Sequence, residues 1–369
     1  MMQLIFFAVS ILAVFLGHAV FWLAVTKLLH IAAWQHHFIL ISLISFLFVS
    51  TIIASYLIHK WDNPFTRWYY MIAGFWIGLL VNFGLMAILI LFFRLFGVVF
   101  DFTVPAGIMK FIFFGGASLV SLYGLYNAWN PQVIEYEVAI KDLPDYWNNK
   151  VVVQVSDVHL GPVYRKRFFS RLIARVDNLK PEAVFITGDL FDGMEADFSW
   201  MNHPFSKLRT PSGIYYSFGN HDLYLGFNRV INLLKENPVR ILDNKMETVS
   251  GLQIIGINYS FNSDFDLEAA ILKQVNYDQR KPSILLFHAP KNVPLAKSAG
   301  IDLQLSGHTH DGQLFPFNLV AKLAHHGYGY GLFQEGDFSI IINGGAGTWG
   351  PPIRTSSRSE IVKIILKKK

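Results

Sequence analysis

Across the first 130 residues, polar positions are too sparse to form a pattern. Only Lys27, Lys60, Asp62, Arg67, Arg94, Asp101 and Lys110 carry charge there. Between them lie four apolar stretches, residues 2–26, 38–58, 68–93 and 104–128. A helix needs about 20 apolar residues to cross the bilayer hydrocarbon. The second stretch, FILISLISFLFVSTIIASYLI, is the cleanest. The fourth has Pro105 and Lys110 near one end, so an interfacial or re-entrant helix is its alternative. The first is too long for a signal peptide and lacks its charged start and small-residue cleavage site. The pattern predicts a multi-pass helical membrane domain over 1–130. His18 and Asn82 are polar positions inside these stretches, where an unpaired group is costly. Each is expected to satisfy itself against a neighbouring helix.

From Val133 the pattern changes to short apolar runs broken by turns. VIEYEVAI alternates like a half-exposed strand. VVVQVSD, AVFITGD, GIYYSFGN, LQIIGIN, SILLFH, IDLQLSG and FSIIING follow it, several of them continuous as buried strands are. Residues 164–180 and 227–236 read as helices between strands. The alternation predicts a layered α/β or α+β domain over 131–369, joined to the membrane part near WNPQV, residues 129–133.

Polar side chains gather directly after these runs: Asp157 and His159, Asp189 with Asp192 beyond it, Asn220, His221 and Asp222, His288, then His308 and His310. In layered α/β proteins ligands collect at the carboxyl ends of strands. Residues two apart in an extended segment point the same way. Asp157 and His159 can therefore grip one ion together. His308 and His310 can do the same, or hold two ions side by side. Gly307 and Gly312 are expected to let the backbone bend sharply there. The chain has no cysteine, which removes disulfides, thiolate metal sites and a cysteine nucleophile. A nitrogen and oxygen donor set without sulfur suits manganese, iron, zinc or similar ions. Two such ions about 3.5–4 Å apart can hold a hydroxide and clamp a phosphoryl group. The net charge of +5 is a weak pull toward an anionic partner.

The series SDVHLG, GDLFDG, GNHD, FHAP and GHTHDGQ resembles the motifs of calcineurin-like metallophosphoesterases, over about residues 150–365. GGAGTWGPPIR, Gly344 to Arg354, resembles the closing segment of one branch. That branch contains the transmembrane protein with metallophosphoesterase domain and bacterial phosphodiesterases that cleave UDP-2,3-diacylglucosamine. The resemblance implies a two-sheet sandwich flanked by helices, with two divalent ions at one edge. Manganese leads, with iron, zinc and magnesium as alternatives. By motif, Asp157, His159, Asp189 and His310 would bind the first ion. Asp189, Asn220, His288 and His308 would bind the second, with Asp189 bridging. His221 would lie near the scissile phosphate and Asp222 would orient it. Three positions depart from the common pattern: Asp311 and Gly193 replace a usual glycine and arginine, and Lys291 stands where many relatives have an acid.

The expected activity is hydrolysis of a phosphodiester or pyrophosphate, lipid- or nucleotide-linked, with a UDP-2,3-diacylglucosamine-like compound as one form. A phosphomonoesterase or protein phosphatase of the same fold is the enzyme alternative. A phosphate-binding membrane receptor is the non-catalytic one. Arg354 is a candidate phosphate contact, since its guanidinium offers a fork of donors. The apolar segment 314–333 either touches bilayer or acyl chain, or packs over the sheet. The basic helix at 164–180 is expected to pack on its sheet and show its charges to water. No long basic groove with interleaved aromatics points to nucleic acid. Four spans put both chain ends on one side, and the basic stretch YRKRFFSRLIAR tips the catalytic domain toward the cytoplasmic face of the inner membrane.

Overall fold

The computed structural model of the protein describes residues 2–261, 269 and 272–369. Contacts divide it into two compact units: residues 1–126 with 350–355, and residues 127–349 with 356–369.

The first unit is helical: α1 (Met2–Leu28), α2 (Trp34–Lys60), α3 (Pro64–Phe100), α4 (Ala106–Lys110) and α5 (Ala117–Trp129). A π-helical turn, Phe111–Gly116, joins α4 to α5 without a break. Residues 8–28, 34–60, 64–100 and 106–129 are each long and apolar enough to cross a membrane. The start of α3 is encoded locally. Asn63 Oδ1 accepts from the Phe65 and Thr66 N–H groups at 3.0 and 3.1 Å, and Pro64 occupies the first turn, where its missing donor costs nothing. The two polar positions read from the sequence are paired inside this unit. His18 accepts the Trp76 Nε1–H at 3.0 Å and lies 2.8 Å from the Val14 carbonyl. Asn82 donates to Ser121 Oγ at 2.8 Å.

The hexapeptide Gly350–Thr355 sorts with the helices. Fully buried Ile353 approaches α3 and α5 where each has a glycine. A Cβ at Gly78 would stand 2.5 Å from Ile353 Cδ1, and one at Gly124 2.2 Å from its Cγ2.

Among the described residues, the second unit has twelve strands: β1 (Gln132–Ile140), β2 (Val151–Val155), β3 (Ala183–Thr187), β4 (Ile214–Ser217), β5 (Val239–Ile241), β6 (Lys245–Val249), β7 (Leu252–Ile257), β8 (Ser283–Phe287), β9 (Leu303–Ser306), β10 (Gly331–Glu335), β11 (Phe338–Ile342) and β12 (Glu360–Lys368). They form two six-stranded sheets, ordered β1-β12-β2-β3-β4-β5 and β10-β11-β9-β8-β7-β6. Strands β2 to β5 run parallel, as do β7, β8, β9 and β11.

The period-2 alternation of strands sets the layers. Val152 and Phe185 join Ile254, Leu286 and Leu305 in the core between the sheets. Val153, Val155 and Val184 point the other way, to α6 (Lys166–Asn178). That helix buries Phe168, Phe169, Leu172, Ile173 and Val176. At about 1.5–3 kcal/mol for each such side chain, its attachment gains on the order of 10 kcal/mol before entropy. Its apolar face is thus spent on the sheet, and Lys166, Arg167, Arg171 and Arg175 are exposed. The segment 314–333 does not pack as a layer. Its helix Phe317–Ala324 has no buried residue, and Phe315, Phe317, Leu319, Val320 and Leu323 are all exposed.

Candidate metal centre

The candidate ligands follow the carboxyl ends of β2, β3, β4, β8 and β9. Loop backbones lock these ends together across strands. Asp157 N–H donates to Gly188 O at 3.1 Å, His159 N–H to Asp189 O at 3.1 Å, and Gly307 N–H to His288 O at 2.7 Å. Asp157, His159, Asp189, His308 and His310 all have φ between 50° and 70°. Side chains with a Cβ rarely adopt that left-handed region, and such strain concentrates where surrounding structure enforces it for function. Gly312 has φ 66°, which provides the bend expected of it. Gly307 has a different job, because its φ is not left-handed. A Cβ there would lie 2.0 Å from Ser156 Oγ and 2.1 Å from Asp157 Oδ2. Glycine lets the β9 loop close onto β2.

The side chains converge in three overlapping groups, Asp157–His159–His310, His159–Asp189–His221 and Asp189–His288–His308, with ligand atoms within 4.8 Å of one another in each. His310 Nε2 is 3.3 Å from Asp157 Oδ1 and 3.1 Å from His159 Nε2. His288 Nε2 is 3.1 Å from Asp189 Oδ2 and 3.2 Å from His308 Nδ1. Asp189 reaches both sides, since its Oδ2 is also 3.9 Å from His159 Nε2.

The donors are oriented for cations. His159 Nδ1 faces Asp192 Oδ1 at 3.2 Å, and His288 Nδ1 faces the Thr187 carbonyl at 2.8 Å. An acceptor at Nδ1 fixes the proton there and leaves the Nε2 lone pair directed into the site. Asn220 Oδ1 is buried with no hydrogen-bond partner, which is costly unless a cation takes its lone pairs. The residues therefore fit divalent ions. Asp157, His159, Asp189 and His310 would hold one, and Asp189, Asn220, His288 and His308 the other.

The titrations carry the same message. Burial pushes the Asp157 and Asp189 carboxyls up, but facing imidazoles overcome it and hold both well below the usual range: His310 and His288 for Asp157, His288 for Asp189. Burial lowers His288, yet Asp189 and Asp157 outweigh it and raise it to about 9. His308, facing burial and the His288 charge, falls to about 3. The carboxylates ask for positive charge that the imidazoles supply only by taking protons.

His221 and Asp222 differ from the expected pairing. His221 Nδ1 lies 2.9 Å from the Asp192 carbonyl, so that backbone group orients the ring. Asp222 accepts backbone N–H groups instead: Asp189 at 2.7 Å, Gly219 at 2.9 Å and Phe191 at 3.0 Å. Its role is to hold the β3 and β4 loops in register. Burial, then the Asp189 charge, raise its carboxyl to about 7. Asp192, absent from the expected ligand set, touches His159 through its side chain and His221 through its carbonyl. The second acid of GDLFDG was its one trace in the sequence. Arg354 is fully buried in the hexapeptide that sorts with the helices, and its N–H donates to Gly124 O at 2.9 Å.

The model of the calcineurin-like phosphoesterase family matches residues 150–312. An uncharacterized metallophosphoesterase of Campylobacter jejuni is 34% identical over 268 residues, 71% of each chain. This chain belongs to the calcineurin-like metallophosphoesterase family. A metallophosphoesterase of Helicobacter pylori is 34% identical over 238 residues, 62% of this chain and 63% of that one. The transmembrane protein with metallophosphoesterase domain of Danio rerio is 32% identical over 273 residues, 68% of this chain and 61% of that one. The match thus spans less than two thirds of the last two relatives. As a calcineurin-like metallophosphoesterase, the protein is a metal-dependent phosphoric ester hydrolase, and its family uses divalent ions.

Proposed function

We propose that the protein is a membrane-anchored phosphodiesterase or pyrophosphatase acting on a lipid- or nucleotide-linked phosphate at the inner membrane, its catalytic unit on the cytoplasmic side. The observation that carries the reading is the sharing of Asp189 between two sets of imidazoles. A shared carboxylate suits two adjacent cations. Manganese is the first choice for the pair, and iron and zinc suit the same nitrogen and oxygen donors. Two such ions supply Lewis acidity and lower the pKa of water.

The protein's own groups do the rest. Asp157 and Asp189 balance the charge of the cations. His221, with Nδ1 held by the Asp192 carbonyl, keeps Nε2 free to face the leaving oxygen, and in its doubly protonated form it supplies a hydrogen bond and a proton there. The site needs no side-chain nucleophile. The lipid part of the proposal draws on the four membrane-length helices and on the exposed apolar helix Phe317–Ala324. Soluble nucleotides cleaved far better than any lipid phosphate would remove that part.

The test is hydrolysis of bis(p-nitrophenyl) phosphate and p-nitrophenyl phosphate by the detergent-purified full chain. Activity should require Mn, vanish in EDTA, and be lost in Asp189→Ala and His221→Ala. Faster turnover of the diester supports the reading, whereas a strong preference for the monoester favours a phosphomonoesterase. Silence with every divalent metal overturns catalysis and leaves a phosphate-binding receptor.

A further inference from the structure

Beside His308 stands a cluster with no part in holding cations. The Tyr259 ring lies 5.6 Å from the His308 ring and 6.0 Å from that of His288. Lys291 places its Nζ 4.6 Å over the Tyr259 ring and donates to its hydroxyl at 3.3 Å. His325 meets the His308 ring edge-on at 6.0 Å. Lys291 and His325 are near enough that the lysine charge adds to burial in lowering the His325 pKa. Among the described residues, no carboxylate pairs with Lys291.

An ammonium in this position is electrostatically awkward. Two divalent ions at the adjoining site would add positive charge beside a lysine that has no carboxylate partner among the described residues. Like charges that face each other across a low-dielectric site repel. An anion between the two reverses the sign of both interactions. The scissile phosphoryl group would sit on the cations, leaving the lysine for a second anionic group a bond or two away. The Tyr259 hydroxyl and the His325 ring can add hydrogen bonds to it.

We propose that Lys291, Tyr259 and His325 form a second anion subsite that takes the phosphate next to the scissile one, so that the substrate is a diphosphate-linked compound. The inference rests on the phosphoesterase reading and narrows it. Hydrolysis then adds water across one phosphoric anhydride bond. The P–O bond to the bridging oxygen breaks, a new P–O bond forms to the water oxygen, and two phosphate monoesters leave with release of a proton. Lys291 is a positioning residue for the diphosphate and touches no bond that breaks.

Equilibrium dialysis of the full chain in detergent, with Mn in excess over nucleotide, tests this with ADP and AMP as probes. Wild-type protein should bind ADP about tenfold or more tightly than AMP, as expected for one added charge-assisted contact. Lys291→Ala should lower that ratio about tenfold, and Lys291→Arg should keep most of it. A melting temperature equal to wild type shows that Lys291→Ala is folded. Equal binding of ADP and AMP by wild type, or an unchanged ratio in the folded Lys291→Ala protein, overturns the subsite. Binding does not require turnover. Failure of the subsite is therefore distinct from failure of bis(p-nitrophenyl) phosphate hydrolysis, which would overturn the phosphoesterase reading itself.

Discussion

Asp192 holds His159 from behind: its Oδ1 lies 3.2 Å from His159 Nδ1, on the side of the ring away from His310. Partners of this kind set the tautomer and raise the basicity of a ligating imidazole. Asp192→Asn should weaken metal affinity about 10–100-fold with the fold retained. Titration of Mn against phosphoric ester hydrolysis would measure it. Restoration of full activity at saturating Mn is expected, and an unchanged Mn requirement would count against the role.

Asp222 predicts a different phenotype. Its carboxylate accepts three backbone N–H groups, and one oxygen takes two of them. An amide at that position turns one acceptor into a donor facing other donors. Asp222→Asn should therefore cost on the order of 2–3 kcal/mol of stability. The thermal melt should fall by several degrees, while the pH profile of whatever activity remains keeps its shape. A shifted pH profile with an unchanged melt would restore the expected role as partner of His221.

Far from the site, Glu182 gives a pH-dependent contribution to stability. Burial raises its carboxyl, but Tyr146 at 2.6 Å, Ser212 at 2.7 Å and Lys150 at 3.0 Å hold it below the ordinary value. An acid whose folded pKa is depressed stabilises the fold at pH above its unfolded value, about 4.3. That stability fades as pH falls through the lower folded value. Glu182→Gln should lower the melting temperature at pH 7 and converge with wild type below about pH 4. Parallel melting curves across that range would exclude the linkage.

The exposed helix Phe317–Ala324 can be examined directly because the chain has no native cysteine. Leu323, 79% exposed, accepts a single thiol label without competition. In proteoliposomes, a fluorophore on Leu323→Cys should be quenched by nitroxide lipids if the helix rests on acyl chains. A label on Arg167→Cys, on the exposed face of α6, should remain bright. Equal brightness at both sites would separate the apolar helix from the bilayer.

The membrane helices and the buried parallel strands were legible because each is driven by a continuous apolar run. Four other strands were not read. Strands β5, β6 and β10 have short, partly exposed or mixed patterns, and β5, β6 and β10 lie at or near sheet edges. Strand β12 mixes lysines into its run and is specified by its neighbours β1 and β2. At the site, the motif spacing brought Asp157, His159, Asp189, His288, His308 and His310 to notice. The job of Asp222 was hidden, since its partners are backbone amides that no side-chain pattern reveals. Asp192 was hidden for a related reason, because half of its role belongs to its carbonyl.

The hexapeptide Gly350–Thr355 gives the helical unit a practical meaning. The sequence suggests a single cut near residue 130, yet the chain passes between its two compact units three times, the last two around this segment. Ile353 is housed at Gly78 and Gly124, where even a methyl group would collide with it. A fragment begun at residue 131 would keep the plug and discard its socket. The helices are therefore a folding partner for the chain's own distal loop, and a soluble version of the enzyme calls for redesign of that loop as well as removal of the helices.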